Sequence, residues 1–343
     1  MQEALVAKAV LAAWQLEDAS CAVIEEGLIN QTFLLAHGTS KYILQKLHPI
    51  FTKDVHKNIA ALTAYLKKHS FSTPEIIPTV NGKLEYEENE EIWRVLSFVE
   101  GQTFSEIKTP EQAYEAGVLV GRFHLLLSNF SHKFVQIREG VHDTDKHLAL
   151  LDKAIVSHKG HRLYDDVTAL YHEIAEARKT RLDFKSLKLR PSHGDLKISN
   201  LMFDAQGKGL CLIDLDTLGP LPWAVEMADA FRSWCAPCGE DDPDTYFDLS
   251  IFREAIKGYF SVTAQVWTSE EKAALVPAIE TICLELSVRF LADALLENYF
   301  GFDENNYPAR GEHNLARALG QWRLLCSVRS QKEAMTRIVE EVY

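Results

Sequence analysis

Residues 193–217 hold carboxylates, an amide, a lysine and an imidazole at spacings that suit phosphoryl transfer. The run is His193-Gly194-Asp195-Leu196-Lys197-Ile198-Ser199-Asn200, then two short apolar stretches around a turn at 204–209, then Ile213-Asp214-Leu215-Asp216-Thr217. Phosphoryl transfer needs a carboxylate that orients the attacking hydroxyl and takes its proton. It also needs hard oxygen ligands for the Mg²⁺ that bridges the phosphates. A loop presenting Asp195, with Asn200 five residues on, supplies a base and one metal ligand, and a hairpin returning to Asp214 supplies the second. Asp216 is a lesser metal candidate, because alternation puts it on the same side as Asp214. His193 reads as a brace acting through backbone hydrogen bonds rather than as an acid or base.

His-Gly-Asp alone is ordinary turn chemistry. The ordered set of base, amide and second carboxylate around a hairpin is rarer, and it matches the H-x-D-x-x-x-x-N loop of kinases, with Ile213-Asp214-Leu215 where protein kinases carry D-F-G. There is no Walker loop, which disfavours P-loop kinases. No A-P-E follows Asp214, which disfavours a protein kinase.

Periodicity outlines the elements that must position these groups. Short apolar runs at 21–25, 32–36 and 41–47 read as antiparallel strands, and 83–86 and 92–99 as two more around an acidic turn at 87–91. Val55, Ile59, Leu62 and Leu66 recur at helical spacing within 51–69. The first twenty residues read as a helix rather than a signal peptide, with Lys8 and Glu17 interrupting the apolar positions. Glu100-Gly101-Gln102 breaks the pattern and reads as an interlobe linker. Beyond it the chain is mostly helical: 110–130, one or two helices in 144–181, the hairpin, then helices from 224 onward. The expected class is α+β, with a nucleotide-binding sheet lobe over 1–99 and a catalytic, acceptor-binding lobe over 100–343.

The chain resembles the aminoglycoside phosphotransferase/choline kinase-like superfamily, and within it the N-acetylhexosamine 1-kinases. The resemblance rests on Tyr42-Ile43-Leu44-Gln45-Lys46, Trp93-Arg94-Val95, Phe98-Val99-Glu100-Gly101, Gly121-Arg122-Phe123-His124, His142-Asp143-Thr144, the catalytic loop, Asp229-Ala230-Phe231-Arg232, the stretch 284–291 and His313-Asn314-Leu315-Ala316-Arg317. It departs at Gly194 and Leu28, where Asn and His are expected. The resemblance implies a protein-kinase-like bilobal fold, ATP and Mg²⁺ as cofactors, and a hexose or N-acetylhexosamine acceptor, with the anomeric 1-OH favoured. It also implies an adenine-reading hinge at 97–100, with Phe98 and Glu100, and an acceptor site built from Arg289 and Tyr299 with His142 and Asp143 behind them.

On the nucleotide side, 26–32 offers Gly27, Asn30 and Thr32 but only one glycine, a poor match to a Gly-rich phosphate loop. Strand alternation leaves two registers open. Either Gln45 faces the phosphates, with Asn58 as a neutral helix partner and the phosphate charge left to Mg²⁺ and to Lys46 or Lys197, or Lys46 is the usual strand lysine. Asp229 and Arg232, three apart on a helix, are expected to brace the catalytic loop. Arg289 has a plainer reading as a helix salt bridge to Glu285 or Asp293, and Tyr299 one as core packing. His142, Asp143, Asp145 and His147 form no complete metal-ligand pattern and read as solvated turn residues.

Composition narrows the class. The 343 residues carry 36 Lys+Arg against 49 Asp+Glu, a net charge of −13, which argues against a nucleic-acid backbone binder. No apolar run approaches the ~18 residues of a membrane span. Six scattered cysteines are too few for a disulfide scaffold, and Cys235-Ala-Pro-Cys238 is a lone pair better read as buried thiols than as a zinc or redox site. A cytoplasmic sugar kinase is the leading expectation. A homoserine-, choline- or aminoglycoside-type kinase of the same fold is the alternative, and a non-catalytic nucleotide-binding regulator is the alternative from another class.

Overall fold

Alternation in the first hundred residues becomes an antiparallel sheet in the computed structural model, which describes residues 6–24, 30–137, 140–242 and 244–343. Its strands are β1 (Ser20–Ile24), β2 (Gln31–His37), β3 (Ser40–Lys46), β4 (Ile76–Ile77), β5 (Tyr86–Glu88) and β6 (Glu91–Ser97). The order is β1-β2-β3-β6-β4, with β5 also pairing β6. In the β3–β6 register Gln45 stands opposite Arg94, and Lys46 opposite Trp93. Successive side chains take opposite faces. Leu44, Trp93 and Val95 therefore pack with Val10, Leu11 and Trp14 around α1 (Lys8–Ala12), while Ile43, Gln45, Arg94 and Leu96 line a cleft on the other face.

Helix α2 (Val55–Lys68) crosses that second face. Its Ile59, Leu62 and Leu66 join the core of the helical lobe rather than the cluster around α1. Two expectations shift here. The N-terminal helix stops after one turn and a half, because Gln15 takes a left-handed backbone (φ 57°) that ends helical bonding. The fifth strand starts at Tyr86 rather than 83, and the two-residue β4 between Pro74 and Pro78 was too short to show a period.

The larger lobe is built from α3 (Pro110–Leu127), α4 (Thr144–Ser157), α5 (Tyr164–Ala177), α6 (Trp223–Trp234), α7 (Leu249–Thr263), α8 (Ser269–Leu296), α9 (Arg310–Ser330) and α10 (Lys332–Val342). Their starts carry the expected chemistry: Thr109 caps α3 ahead of Pro110, Asp143 caps α4, and Thr268 with Glu271 forms a reciprocal capping box on α8. Two small ribbons sit between helices: β7 (Arg190–Ser192) pairs β10 (Gly219–Leu221), and β8 (Leu201–Phe203) pairs β9 (Gly209–Leu212). Gln102, just past the sheet, exchanges two backbone hydrogen bonds with Phe203. Among the described residues no helix is long and apolar enough to cross a membrane.

Candidate active site

Strand β7 delivers the chain into the catalytic loop, and a short 3₁₀ turn over Ile198–Asn200 returns it to β8. The loop ties itself shut: the Asn200 side-chain amide donates to the Asp195 carbonyl at 2.9 Å, and Lys197 Nζ lies 2.9 Å from Asp195 Oδ2. Burial opposes the charge on Lys197, but Asp195, with Asp214 and Asp229 behind it, outweighs burial and holds the ammonium above its ordinary range. His193 bonds backbone at both nitrogens, Nε2 to the Ile213 carbonyl at 2.9 Å and Nδ1 to the Asp195 N–H at 3.3 Å. Gly194 has φ 87°, and a Cβ there would meet the Thr217 carbonyl oxygen at 2.4 Å. Both the conformation and the close approach call for glycine.

The hairpin brings Asp214 back beside this loop in a left-handed conformation (φ 60°), tolerated by Asp and characteristic of constrained sites. Burial pushes its carboxyl above the usual range, and the neighbouring Asp216 and Asp195 carboxylates push it further. Asp216 behaves oppositely. Burial would raise it, but Arg94 dominates and Asn30 adds a hydrogen bond, so it stays below the ordinary value. Both Asp216 oxygens are occupied, by Arg94 Nη1 at 2.5 Å, Arg94 Nη2 at 2.8 Å and Asn30 Nδ2 at 2.6 Å. The lesser metal candidate is thus an ion-pair partner here.

Asn200 and Asp214 line the same cleft, and Asp214 is a half-buried carboxylate whose charge burial and two neighbouring carboxylates disfavour despite Lys197. Among the described residues no three His, Cys, Asp or Glu side chains converge as a ready-made metal cage. Those two observations fit Mg²⁺, which takes one or two protein oxygens and completes its shell with phosphate and water.

The brace on the loop differs from the one expected. Arg232 Nε does pair with Asp229 at 2.9 Å, but its Nη1 turns to Glu240 at 3.1 Å. The loop is gripped instead by Glu226, whose Oε1 accepts the Gly194 N–H at 2.8 Å, and by Trp234, whose indole N–H donates to the Leu196 carbonyl at 2.7 Å. Glu226 Oε2 bonds His124 Nε2 at 2.8 Å, and His124 Nδ1 meets the Tyr259 hydroxyl at 2.7 Å. Burial opposes the charge of Glu226, but His124 and the Gly194 N–H outweigh it and hold the carboxyl below its usual range.

The cleft between sheet and catalytic loop encloses about 560 Å³. Asn30, Thr32, Ile43, Gln45, Phe98 and Lys197 are among its walls. Gln45, not Lys46, faces it. Lys46 lies on the far side of β3, 2.6 Å from Glu91 and 5.8 Å from the Trp93 ring centroid. The Gln45–Asn58 pair is not formed: Asn58 clasps the backbone of Val135 (Nδ2 to the carbonyl 2.6 Å, Oδ1 from the N–H 3.0 Å). Gln45 Oε1 instead accepts from Arg94 Nε at 2.9 Å and Nη2 at 2.7 Å. The Glu100 side chain points to solvent, 3.6 Å from Lys41. Gly27 lies outside the described residues.

On the acceptor side His142 is not a solvated turn residue. Its Nδ1 sits 3.0 Å from the buried Glu285 carboxylate, whose other oxygen accepts from Thr144 at 2.6 Å. Burial lowers His142, but Glu285 more than compensates and its pKa is raised. Asp143 caps α4, Asp145 pairs with Arg181, and His147 bonds the Val141 carbonyl. Neither helix salt bridge to Arg289 exists, because Asp293 is taken by the N–H groups of Asn298, Tyr299 and Phe300. Among the described residues no carboxylate pairs with Arg289, whose guanidinium lies 5.5 Å from the Phe300 ring centroid. Tyr299 is 61% exposed, which removes the core-packing reading, and its ring meets the same Phe300 edge-on at 4.7 Å.

Sequence reasoning missed Glu226 and Trp234, gave Glu285 to Arg289 where the structure gives it to His142 and Thr144, and left Arg94 inside a motif without a role. Asn200, Asp214, Lys197 and Gln45 do gather at one cleft. The model of a phosphotransferase enzyme family, APH, matches residues 20–255, more than half of the chain. Solved structures are similar in fold. A microcompartment-associated aminopropanol kinase shares 15% identity over 96% of this chain and 97% of its own, with TM-score 0.67. An aminoglycoside phosphotransferase from Alicyclobacillus acidocaldarius shares 16% over 97% and 98%, with TM-score 0.65. An amicoumacin kinase in complex with AMP-PNP and Ca²⁺ shares 17% over 92% of each chain, with TM-score 0.61. The bilobal kinase-like architecture expected from the sequence is the one found. The chain belongs to the APH phosphotransferase enzyme family and is an ATP-dependent small-molecule kinase that acts on a hydroxyl group.

Proposed function

We propose that the acceptor is a neutral polyhydroxyl compound, a hexose or N-acetylhexosamine, phosphorylated at its anomeric hydroxyl. In this reading Asp195 is the base that takes the acceptor proton. Asn200 and Asp214 hold Mg²⁺, which when bound would neutralise phosphate charge. Lys197 keeps Asp195 oriented at 2.9 Å.

The observation that carries the acceptor class is the unpaired Arg289. Among the described residues no carboxylate lies within ion-pair distance of this half-buried guanidinium, which shares its field with His142 and Asp229 and disfavours an amine docked against it. It suits sugar oxygens, to which it offers a fixed fork of donors. Tyr299 and Arg289 flank one Phe300 ring, so wall and donor stand side by side.

The relatives named above include kinases of an amino alcohol and of aminoglycosides, and that chemistry defines the competing outcome. The test is ATP consumption against a panel of hexoses, N-acetylhexosamines, amino alcohols and aminoglycosides. Stimulation by a sugar, with the acceptor KM raised in Arg289→Ala and the ATP KM unmoved, is expected. Stimulation by an amine alone would refute the sugar reading and leave the family assignment intact.

A further inference from the structure

We propose that Arg94, on β6, is the side chain that binds the phosphates of the nucleotide, and that Asp216 preorganises it for that task. The proposal rests on the kinase reading above and assigns within it a charge that the sequence left unplaced.

In protein kinases a β3 lysine grips the phosphates and pairs with a glutamate on the following helix. Here the cleft-facing residue of β3 is the neutral Gln45. Helix α2, VHKNIAALTAYLKK, has no acidic residue to offer a lysine. Its His56 is buried with Nδ1 3.3 Å from Glu85 Oε2, and it is driven down to about 4 by burial and by Arg94, so it stays neutral. Both halves of the usual ion pair are therefore missing from their usual places.

Both reappear one strand and one lobe away. Arg94 stands directly across from Gln45 in the β3–β6 register, on the same face. Its guanidinium touches the end of the Gln45 side chain at 2.7 and 2.9 Å, one hydrogen bond from where a lysine at position 45 would end. The carboxylate partner is Asp216, which binds the guanidinium through two oxygens and is itself held by Asn30. A two-point grip fixes orientation as well as charge.

A fully buried ion pair gains little stability over apolar packing and has a large desolvation cost. Retaining one at the wall of a 560 Å³ cleft is explained by a ligand. Of the five guanidinium N–H groups, Gln45 and Asp216 take four, and among the described residues the second N–H on Nη1 has no partner. Arg94 and Lys197 are the basic side chains among the described residues lining the cleft, each paired with a carboxylate, Arg94 with Asp216 on the sheet side and Lys197 with Asp195 in the opposite loop. Arg94 is thus the cation on the sheet side for an anionic nucleotide.

The test compares binding of Mg·ATP and of adenosine, which lacks phosphates, to wild type, Arg94→Met, Arg94→Lys and Arg94→Met/Gln45→Lys, each checked by thermal melting. Arg94→Met should weaken Mg·ATP at least tenfold and adenosine less than twofold. Adding Gln45→Lys, which restores a cation at the β3 position, should recover a threefold or greater part of the lost ATP affinity. If Arg94→Met does not fold because Asp216 is stranded, Arg94→Met/Asp216→Asn removes both charges and takes its place in the comparison. Equal loss of adenosine and ATP, or unchanged Mg·ATP binding in a folded variant, overturns the proposal. Failure of wild type itself to bind Mg·ATP would overturn the kinase reading instead.

Discussion

Gly194 and Glu226 are joined by a 2.8 Å hydrogen bond from the loop backbone to a fully buried carboxylate on α6. The residue next to the proposed base is thus fastened to a helix rather than left to loop packing. Glu226→Ala strands both the Gly194 N–H and His124, and breaking a buried pair of this kind costs about 3–5 kcal/mol. Melting should show that loss. Glu226→Gln keeps an acceptor for Gly194 and should lose less. The Glu226 carboxyl is depressed in the folded state, so its contribution is present above its ordinary value of 4.5 and is lost as pH falls through the lowered native value. The stability gap between wild type and Glu226→Gln should therefore close on strong acidification.

Asp195→Asn keeps shape and removes the proton acceptor. General base catalysis is worth roughly 10²–10⁴ in rate. Single-turnover measurements should show a kcat loss of that order, with ATP affinity little changed. Turnover close to wild type would remove Asp195 from the role.

Asp214 predicts a split between stability and activity. Burial and two neighbouring carboxylates disfavour its charge, so Asp214→Asn, which tolerates the same left-handed backbone, should melt higher than wild type in metal-free buffer. The same variant should need more Mg²⁺ for half-maximal activity, as should Asn200→Ala. An unchanged midpoint in both would exclude them as ligands.

His142 titrates against Glu285. Its folded pKa is raised, so the pair's stabilisation is full below 6.5 and is lost as pH rises through the higher native value. Asp229 adds to this shift and Arg289 opposes it. His142→Asn should destabilise the protein more at pH below 6.5 than in alkaline buffer. A pH-independent difference would mean that the imidazole stays neutral throughout.

The legible parts of this site are those fixed by short spacing. Asp195, Asn200 and Asp214 are close in the chain, and the intervening hairpin leaves an apolar trace that can be read directly. What could not be read depended on partners far away in sequence. The phase of alternation in β3 is set by whether Leu44 packs under α1, and the strand itself offers Gln45 and Lys46 equally. Arg94 and Asp216 lie 122 residues apart, and Glu226 reaches Gly194 across 32. An acidic residue on a helix near its expected brace, Asp229, was a reasonable choice on local grounds. Only the rotation of α6 in the core distinguishes it from Glu226, one turn earlier.

Helix α2 belongs to the small lobe by sequence and to the large lobe by packing. Ile59, Leu62 and Leu66 are buried in the helical core, Asn58 clasps Val135, and the Tyr65 hydroxyl bonds the Leu126 carbonyl at 3.0 Å. Peeling the helix away would expose three large apolar side chains, each worth about 1.5–3 kcal/mol, and would break those bonds as well. The helix is thus a shared wall: the same core takes in Ile76 of β4, with Leu96 of β6 packed against it, so α2 fastens the sheet to the helical lobe. Truncating Leu62 to Ala should therefore loosen both lobes together, and a single melting transition is the expected readout.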